Sequence, residues 1–304
     1  MHTIKSSHRI SFQPIRSRIL LLFLRICCRY MKVGVENTSG KLDRREQIEY
    51  AVEYPKSSAS TGWPVYERLK STNPWPSFQP TMRKSTNQFV ESVCQVADCI
   101  RDSLCLALTL DPQVLSASFE HPNEVPHWAI KMISYPPKED DEEDACQGVG
   151  AHTDTNFLTL VLQDSVGGLQ AFSQGEWVDV PCEGSGVLVC NLGEQAEIWS
   201  RGYFLATPHR VLGNSSTTNR ISVPLFYNPV LSACIEPLNE STLDYVQWDR
   251  PKNYKHWRRE NNKMLPTVGE NTFKSLARSH PEVFEQHHPD LMLLEDGRIL
   301  LRER

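Results

Sequence analysis

From His127 to Pro229 the chain breaks into short runs of β-forming residues, each closed by Gly, Asn, Asp or Pro. The runs are WAIKMISYPP, FLTLVLQD, LQAFSQGEWVDVP, GVLVCNL, HRVLGN and RISVPLFYNP. Short strands at this spacing, with turn residues between them, argue for a sandwich or barrel of antiparallel strands.

The flanks read differently. The spacing predicts a helix beginning near Ser85 or Thr86. Phe89, Val93, Val96, Ile100, Leu104 and Leu108 recur three or four residues apart, a stripe suited to packing on a sheet. Asp111-Pro112 should stop it and open a short helix through Leu115. Residues 31–85 are polar and turn-rich, as in PKSSASTGWP and STNPWPSFQP, and read as an ordered but irregular cover. Its isolated aromatics serve either as surface cover or as the rim of a substrate site. FKSLARSHPEVFEQHH reads as a helix interrupted at His280-Pro281. The run KEDDEED, 138–144, is too charged for a core and reads as a solvated loop, with a regulatory or divalent-ion role as the alternative. Four regions follow: an irregular or helical amino-terminal segment (1–84), a helical support (85–125), a β-rich core (126–235) and a helical and loop extension (236–304).

Composition narrows the function. A chain of 304 residues that is 39% hydrophobic fills an ordinary soluble core. The net charge of −5 lacks the concentrated basic character of a nucleic-acid binder. Nine cysteines, an odd and scattered set with no CxxC pair, fit a reducing, cytoplasmic setting better than a disulfide framework. Cys94, Cys99 and Cys105 fall along the expected helix, where free cysteine acts as a small hydrophobe. SRILLLFLRICCRY, 17–30, imitates a signal or anchor. Its uninterrupted apolar run, Ile19 to Leu24, falls far short of the ~20 residues of a spanning helix, so no integral membrane association is expected. A packed amphipathic helix, a targeting segment and a start-site artefact, with Met31 as an internal start, are the three readings of this stretch.

Chemistry concentrates in AHTDTNF, 151–157. On a strand, His152 and Asp154 would leave by one face. His209 follows 57 residues later in FLATPHRVLG, ahead of an expected strand. Two imidazoles and one carboxylate can bind iron(II) as a facial triad with open positions. HxD alone is weak and is more often structural or at the surface. The order HTD, PHRV and RIS in a β-rich frame gives it weight. Arg220 and Ser222 alternate on an expected strand, and a guanidinium fork beside a hydroxyl suits a buried carboxylate. The alternative is a surface arginine beside a polar neighbour.

The stretches KMISYPP, GVGAHTDTNFLTLVLQDSVGGLQAF, GEWVDVP, GVLVCNLGE, ATPHRV and NRISVPLFYNP together resemble the isopenicillin N synthase-like branch of the iron(II)/2-oxoglutarate-dependent dioxygenases. The resemblance covers roughly residues 85–235. It implies a mainly β fold, a double-stranded β-helix (jelly roll) with flanking helices. It makes His152, Asp154 and His209 the iron ligands and puts Arg220, Ser222 and Tyr135 on the distal carboxylate of 2-oxoglutarate. Asn191 falls at a family position near the cosubstrate. Two departures stand out. Ile133 replaces an asparagine that the family often carries two residues before the tyrosine, and the basic, apolar amino terminus points to an altered or truncated first half. The implied activity is oxidation of a C–H bond in a small organic molecule by a monomeric enzyme. Dioxygen and 2-oxoglutarate are consumed, and succinate and CO2 are released. Hydroxylation is the default, with desaturation or ring formation as variants. The alternatives are an iron oxidase that needs no 2-oxoglutarate, ethylene formation from 2-oxoglutarate, and a non-catalytic metal-binding scaffold.

Overall fold

The computed structural model describes residues 30–38, 40–54, 64–138, 147–184, 186–243 and 263–302. The chain begins with β1 (Tyr30–Met31), the β2 (Asn37–Thr38) and β3 (Lys41–Leu42) hairpin, and β4 (Glu46–Ala51). A 3-10 turn (Val65–Leu69) leads to α1 (Thr81–Ala107) and α2 (Gln113–Ser116). The β-rich stretch supplies β5 (Trp128–Tyr135), β6 (Gln147–His152), β7 (Leu158–Gln163), β8 (Leu169–Ser173) and β9 (Glu176–Asp179). It continues with β10 (Leu188–Leu192), α3 (Glu194–Trp199), β11 (His209–Leu212) and β12 (Arg220–Tyr227). Last come α4 (Val268–Ser279), α5 (Pro281–His287) and the hairpin β13 (Leu291–Leu293) and β14 (Ile299–Leu301).

Two antiparallel sheets form the core, ordered β1-β4-β5-β12-β7-β10 and β6-β11-β8-β9. This is the jelly roll that the sequence led us to expect. Period-two alternation divides each major-sheet strand between two environments. On β12, Arg220, Ser222, Pro224 and Phe226 line an internal chamber, while Leu225 and Tyr227 belong to the main apolar core. On β5, Lys131, Ile133 and Tyr135 face the chamber, and Ile130 packs outside it. Between the sheets lies a small apolar cluster of Ile133, Tyr135, Val149, Leu169 and Val211. Ile133 thus lines the inside of the roll with hydrocarbon.

The long helix α1 lies over the outer side of the major sheet, its Val90, Val93, Ala97 and Cys105 in the main core. Burying each valine stabilises the fold by roughly 1.5–3 kcal/mol relative to exposure. The helix starts at Thr81, ahead of the expected Ser85, because Pro80 is already helical (φ −64°, ψ −24°) and carries polar residues into the first turns. Its seam also differs from the apolar stripe. Val96 is 43% exposed, and the buried position is taken by Arg101. That guanidinium is satisfied by Asp98 at 2.8 Å and by Asp102, and it lies over the Phe119 ring. Of the helix cysteines, Cys105 is buried, Cys94 half-buried and Cys99 exposed, so the small-hydrophobe reading fails for Cys99.

The region read as irregular cover contributes β4, a six-residue strand between β1 and β5. The carboxyl-terminal helix is interrupted where expected: α4 ends at Ser279 and α5 opens on Pro281, which has no N–H to donate. A capping box between Thr267 and Glu270 fixes the start of α4. Among the described residues no helix is long and apolar enough to cross a membrane. SRILLLFLRICC (17–28), with its candidate anchor, and most of KEDDEED lie outside the described residues.

Candidate metal centre and chamber

His152 is the last residue of β6 and His209 the first of β11, and the two are direct partners across the ladder. Strand pairing therefore sets the imidazoles side by side, with ring centroids 4.3 Å apart. The expectation for Asp154 needs correction. It lies two residues past the end of β6, in the loop before β7, so strand alternation is not what brings it to the histidines. The loop is pinned by the start of α3. Glu194 donates its N–H to the Asp154 carbonyl at 2.8 Å, and Gly193 donates to Phe157 at 3.0 Å. Gly193 is required by space: a Cβ there would sit 2.0 Å from the Asn156 carbonyl oxygen. His209 likewise opens its strand, where the sequence had set it ahead of one.

Each imidazole is oriented by a carbonyl. Nδ1 of His152 lies 2.8 Å from the Gly150 oxygen and Nδ1 of His209 lies 3.0 Å from that of Thr207. A carbonyl only accepts, so both Nδ1 atoms carry the proton and both Nε2 lone pairs are free. Those Nε2 atoms are 3.7 and 3.8 Å from the two carboxylate oxygens of Asp154. One ligand atom from each of the three residues falls within 4.8 Å of the others, close enough to share a metal ion. The Asp154 carboxylate also accepts from Thr159 at 2.6 Å and from Asn191 at 2.8 Å. Burial opposes its charge, but His209, His152 and these two donors outweigh that and hold its pKa below the ordinary carboxylate value. Burial, with His209 adding to it, pushes His152 down to about 4, which disfavours its protonated form.

The chamber around these residues encloses about 500 Å³. Arg220 is 2% exposed in its wall. One of its nitrogens donates to Gln163 Oε1 at 3.1 Å. Its Nε and Nη1 are buried without a hydrogen-bond partner. Ser222 lies two residues along the same strand face, and Tyr135 is the direct cross-strand partner of Arg220, its ring 4.9 Å from the guanidinium carbon. Five of the expected residues, His152, Asp154, His209, Arg220 and Ser222, thus line one chamber together with Tyr135. Asn191 meets it through the Asp154 carboxylate.

Sequence reasoning missed several neighbours. Thr159 was legible in principle, since TLVLQ alternates and puts Thr159 and Val161 inward. Arg45 and Glu36 carried no signal. They come from the amino-terminal region, pair with each other at 2.5 Å, and line the chamber. Arg45 also hydrogen-bonds Tyr135.

Residues 126–229 match the family model of the 2OG-Fe(II) oxygenase superfamily. The 1-aminocyclopropane-1-carboxylate oxidase 1 of Oryza sativa subsp. japonica is 36% identical over 163 residues, 53% of this chain and 49% of that protein. A homoarginine-6-hydroxylase of the same organism is 30% identical over 217 residues, 69% of this chain and 62% of that protein. The chain therefore spans about half to three-fifths of the length of these curated relatives. Among solved structures, that of JOX2 in complex with 2OG, Fe and JA superposes with a TM-score of 0.56 at 27% identity, covering 69% of this chain and 56% of that one. A full-length Neurospora crassa protein in complex with alpha-KG and thymine gives 0.61 at 21% identity, over 83% of this chain and 74% of that one, a likeness of fold.

Proposed function

We propose that this chain, whose residues 126–229 match the model of the 2OG-Fe(II) oxygenase superfamily, is an iron(II)- and 2-oxoglutarate-dependent dioxygenase of the isopenicillin N synthase-like branch that oxidises a C–H bond of a small organic substrate. One observation carries the reading. A two-histidine, one-carboxylate set shares its chamber with a buried guanidinium that has two unpartnered nitrogens. The first is the donor set that iron(II) takes with positions left open. The second is a buried charge that an anionic ligand would satisfy.

In this reading His152, Asp154 and His209 hold the iron. Iron with 2-oxoglutarate and dioxygen supplies an oxidant strong enough for an unactivated C–H bond, with succinate and CO2 as the co-products. The chain's own part is orientation. Arg220 pairs with the distal carboxylate of the cosubstrate, Ser222 adds a donor from the same strand, and Tyr135 closes the third side. Asn191 and Thr159 keep the Asp154 carboxylate ionised and aimed. Residues 126–235 form the catalytic unit and 85–125 its helical support. Residues 1–84 and 236–304 shape the substrate side, a division supported by Glu36, Arg45 and Ser275 on the chamber wall. The reading extends to a monomer in the cytoplasm, a reducing setting that the six free cysteines among the described residues fit.

The test is oxygen uptake and succinate formation with 2-oxoglutarate varied, in wild type and Arg220→Lys. Lysine keeps the charge but loses the fork. The apparent constant for 2-oxoglutarate should rise at least about ten-fold, since one hydrogen bond to a charged group contributes roughly 1.5–3 kcal/mol. Anaerobic iron binding should barely change. Turnover that neither needs 2-oxoglutarate nor yields succinate would mark an iron oxidase instead.

A further inference from the structure

The β2–β3 hairpin is fastened to β6, the strand that ends on His152. Gln147 Nε2 lies 3.1 Å from the Thr38 carbonyl, 3.0 Å from that of Lys41 and 3.0 Å from Asp43 Oδ1. A Cβ on Gly150 would sit 2.8 Å from the Thr38 side chain, so the hairpin packs as closely on β6 as glycine allows. Just after the hairpin, Arg44 donates to the Pro137 carbonyl at 2.8 Å, two residues beyond Tyr135. Arg45 follows and lines the chamber, its side chain 12% exposed. Glu36 holds its guanidinium at 2.5 Å and Asp43 at 3.3 Å. The same guanidinium donates to the Tyr135 hydroxyl. Tyr135 is therefore gripped twice, by Arg220 beside its ring at 4.9 Å and by Arg45 at its tip.

We propose that Arg45 is a positioning residue for the cosubstrate: it makes the Tyr135 hydroxyl a fixed donor towards the distal carboxylate of 2-oxoglutarate. The inference rests on the oxygenase reading of the chamber. A phenol oxygen can accept hydrogen bonds and has one hydrogen to give, whereas a guanidinium only donates. The bond from Arg45 thus occupies the accepting side of the oxygen, and its hydrogen is left for another acceptor. Accepting from a cation also polarises the phenol and strengthens the bond it gives. Glu36 and Asp43 already match the charge of Arg45, so its contribution to the chamber is direction more than net charge. A residue ahead of the β-rich core then completes a subsite whose other members, Tyr135, Arg220 and Ser222, all lie on β5 and β12.

Anaerobic calorimetric titration of the iron(II)-loaded protein tests this with two probes, 2-oxoglutarate and 2-oxopentanoate. The second has the same carbon chain with a methyl group in place of the distal carboxylate. Wild type should prefer 2-oxoglutarate. Tyr135→Phe should weaken 2-oxoglutarate about ten-fold or more, having lost a bond to a charged group. Arg45→Lys keeps a charge for Glu36 and Asp43 but has no second arm for the phenol, and should weaken 2-oxoglutarate about three- to ten-fold. Neither variant should change the binding of 2-oxopentanoate, which also reports a folded, iron-loaded chamber. In the double variant the loss should be no greater than in Tyr135→Phe alone, because Arg45 acts through the hydroxyl. If Arg45→Lys does not fold, Arg45→Gln carries the same expectations. Wild-type affinity for 2-oxoglutarate in the Arg45 variant, equal weakening of both probes, or losses that multiply in the double variant would overturn the inference. Arg220→Lys separates it from the reading beneath it. Preference for 2-oxoglutarate lost in Arg220→Lys but kept in Arg45→Lys removes this inference alone. A wild type with no preference for 2-oxoglutarate removes the cosubstrate reading, and this inference with it.

Discussion

At Asp154 a carboxylate only 7% exposed accepts hydrogen bonds from two neutral donors, which favour its charged form. Thr159 and Asn191 both donate to the same oxygen, Oδ2, which fixes the rotation of the group. Asp154→Ala removes the only anionic ligand candidate in the set, so one-to-one iron(II) binding should be lost in anaerobic titration. Asn191→Ala leaves all three ligands and removes one orienting bond. Outer partners of this kind typically cost 10–100-fold in metal affinity, and iron(II) should bind weaker by about that factor. An Asn191→Ala protein with wild-type affinity would refute the positioning role. The ligand types could be read from the sequence, because HxD and a later His are chemically distinctive. The role of Asn191 could not, because an amide that touches a carboxylate 37 residues away leaves no local pattern.

Elements turn these residues into a site by close backbone approach. The turn between β10 and α3 meets the Asp154 loop at Gly193, whose missing side chain lets the Asn156 carbonyl occupy that space. Gly193→Ala must push the two backbones apart. Overpacking of this kind costs typically ~1–3 kcal/mol. Because the displaced loop carries Asp154, urea denaturation of the metal-free protein and iron titration should both register the change. Stability lost with metal affinity intact would show that the loop does not set the ligand. The strands β5, β7, β10, β11 and β12 follow the β-rich runs closely, since their core-facing side is apolar and the two-residue period survives. β4 was illegible for the opposite reason. Glu46, Gln47 and Glu49 make a stretch that looks polar in sequence, yet Glu46 and Gln47 are buried, at 1% and 0% exposure, by hydrogen bonds such as that from Tyr30 to Glu46. The α1 seam went astray through the same effect, an ion-paired Arg101 standing where a hydrophobic stripe expects an apolar residue. Binary patterning fails where a buried surface is polar, and in this fold such surface lies around the site and its supports.

Across the whole molecule, one buried histidine ties stability to pH. His127, just before β5, is 3% exposed, and burial pushes its pKa down from 6.5 to about 4. Once unfolded, the same side chain titrates near its ordinary value. Between pH ~6.5 and ~4 the unfolded chain therefore holds a proton that the folded one refuses, and acidification favours unfolding. The sign follows directly: the folded pKa is depressed, so the stability associated with neutral His127 is complete above the unfolded pKa. It is lost progressively as pH falls towards the folded pKa. The slope reaches about 1.4 kcal/mol per pH unit inside that window and vanishes outside it. His152 is displaced in the same direction, so the experiment is best read as a difference between two proteins that both keep it. Urea denaturation of wild type and His127→Phe, metal-free, at half-unit steps from pH ~7.5 to ~4.5 isolates the His127 share. Phenylalanine cannot be protonated, so its stability should fall less steeply below pH ~6.5, and the gap between the two curves should change by up to about 2 kcal/mol across the window. Parallel curves would mean that His127 takes up its proton in the folded state at an ordinary pH, and that its burial is relieved by motions of the recess it lines.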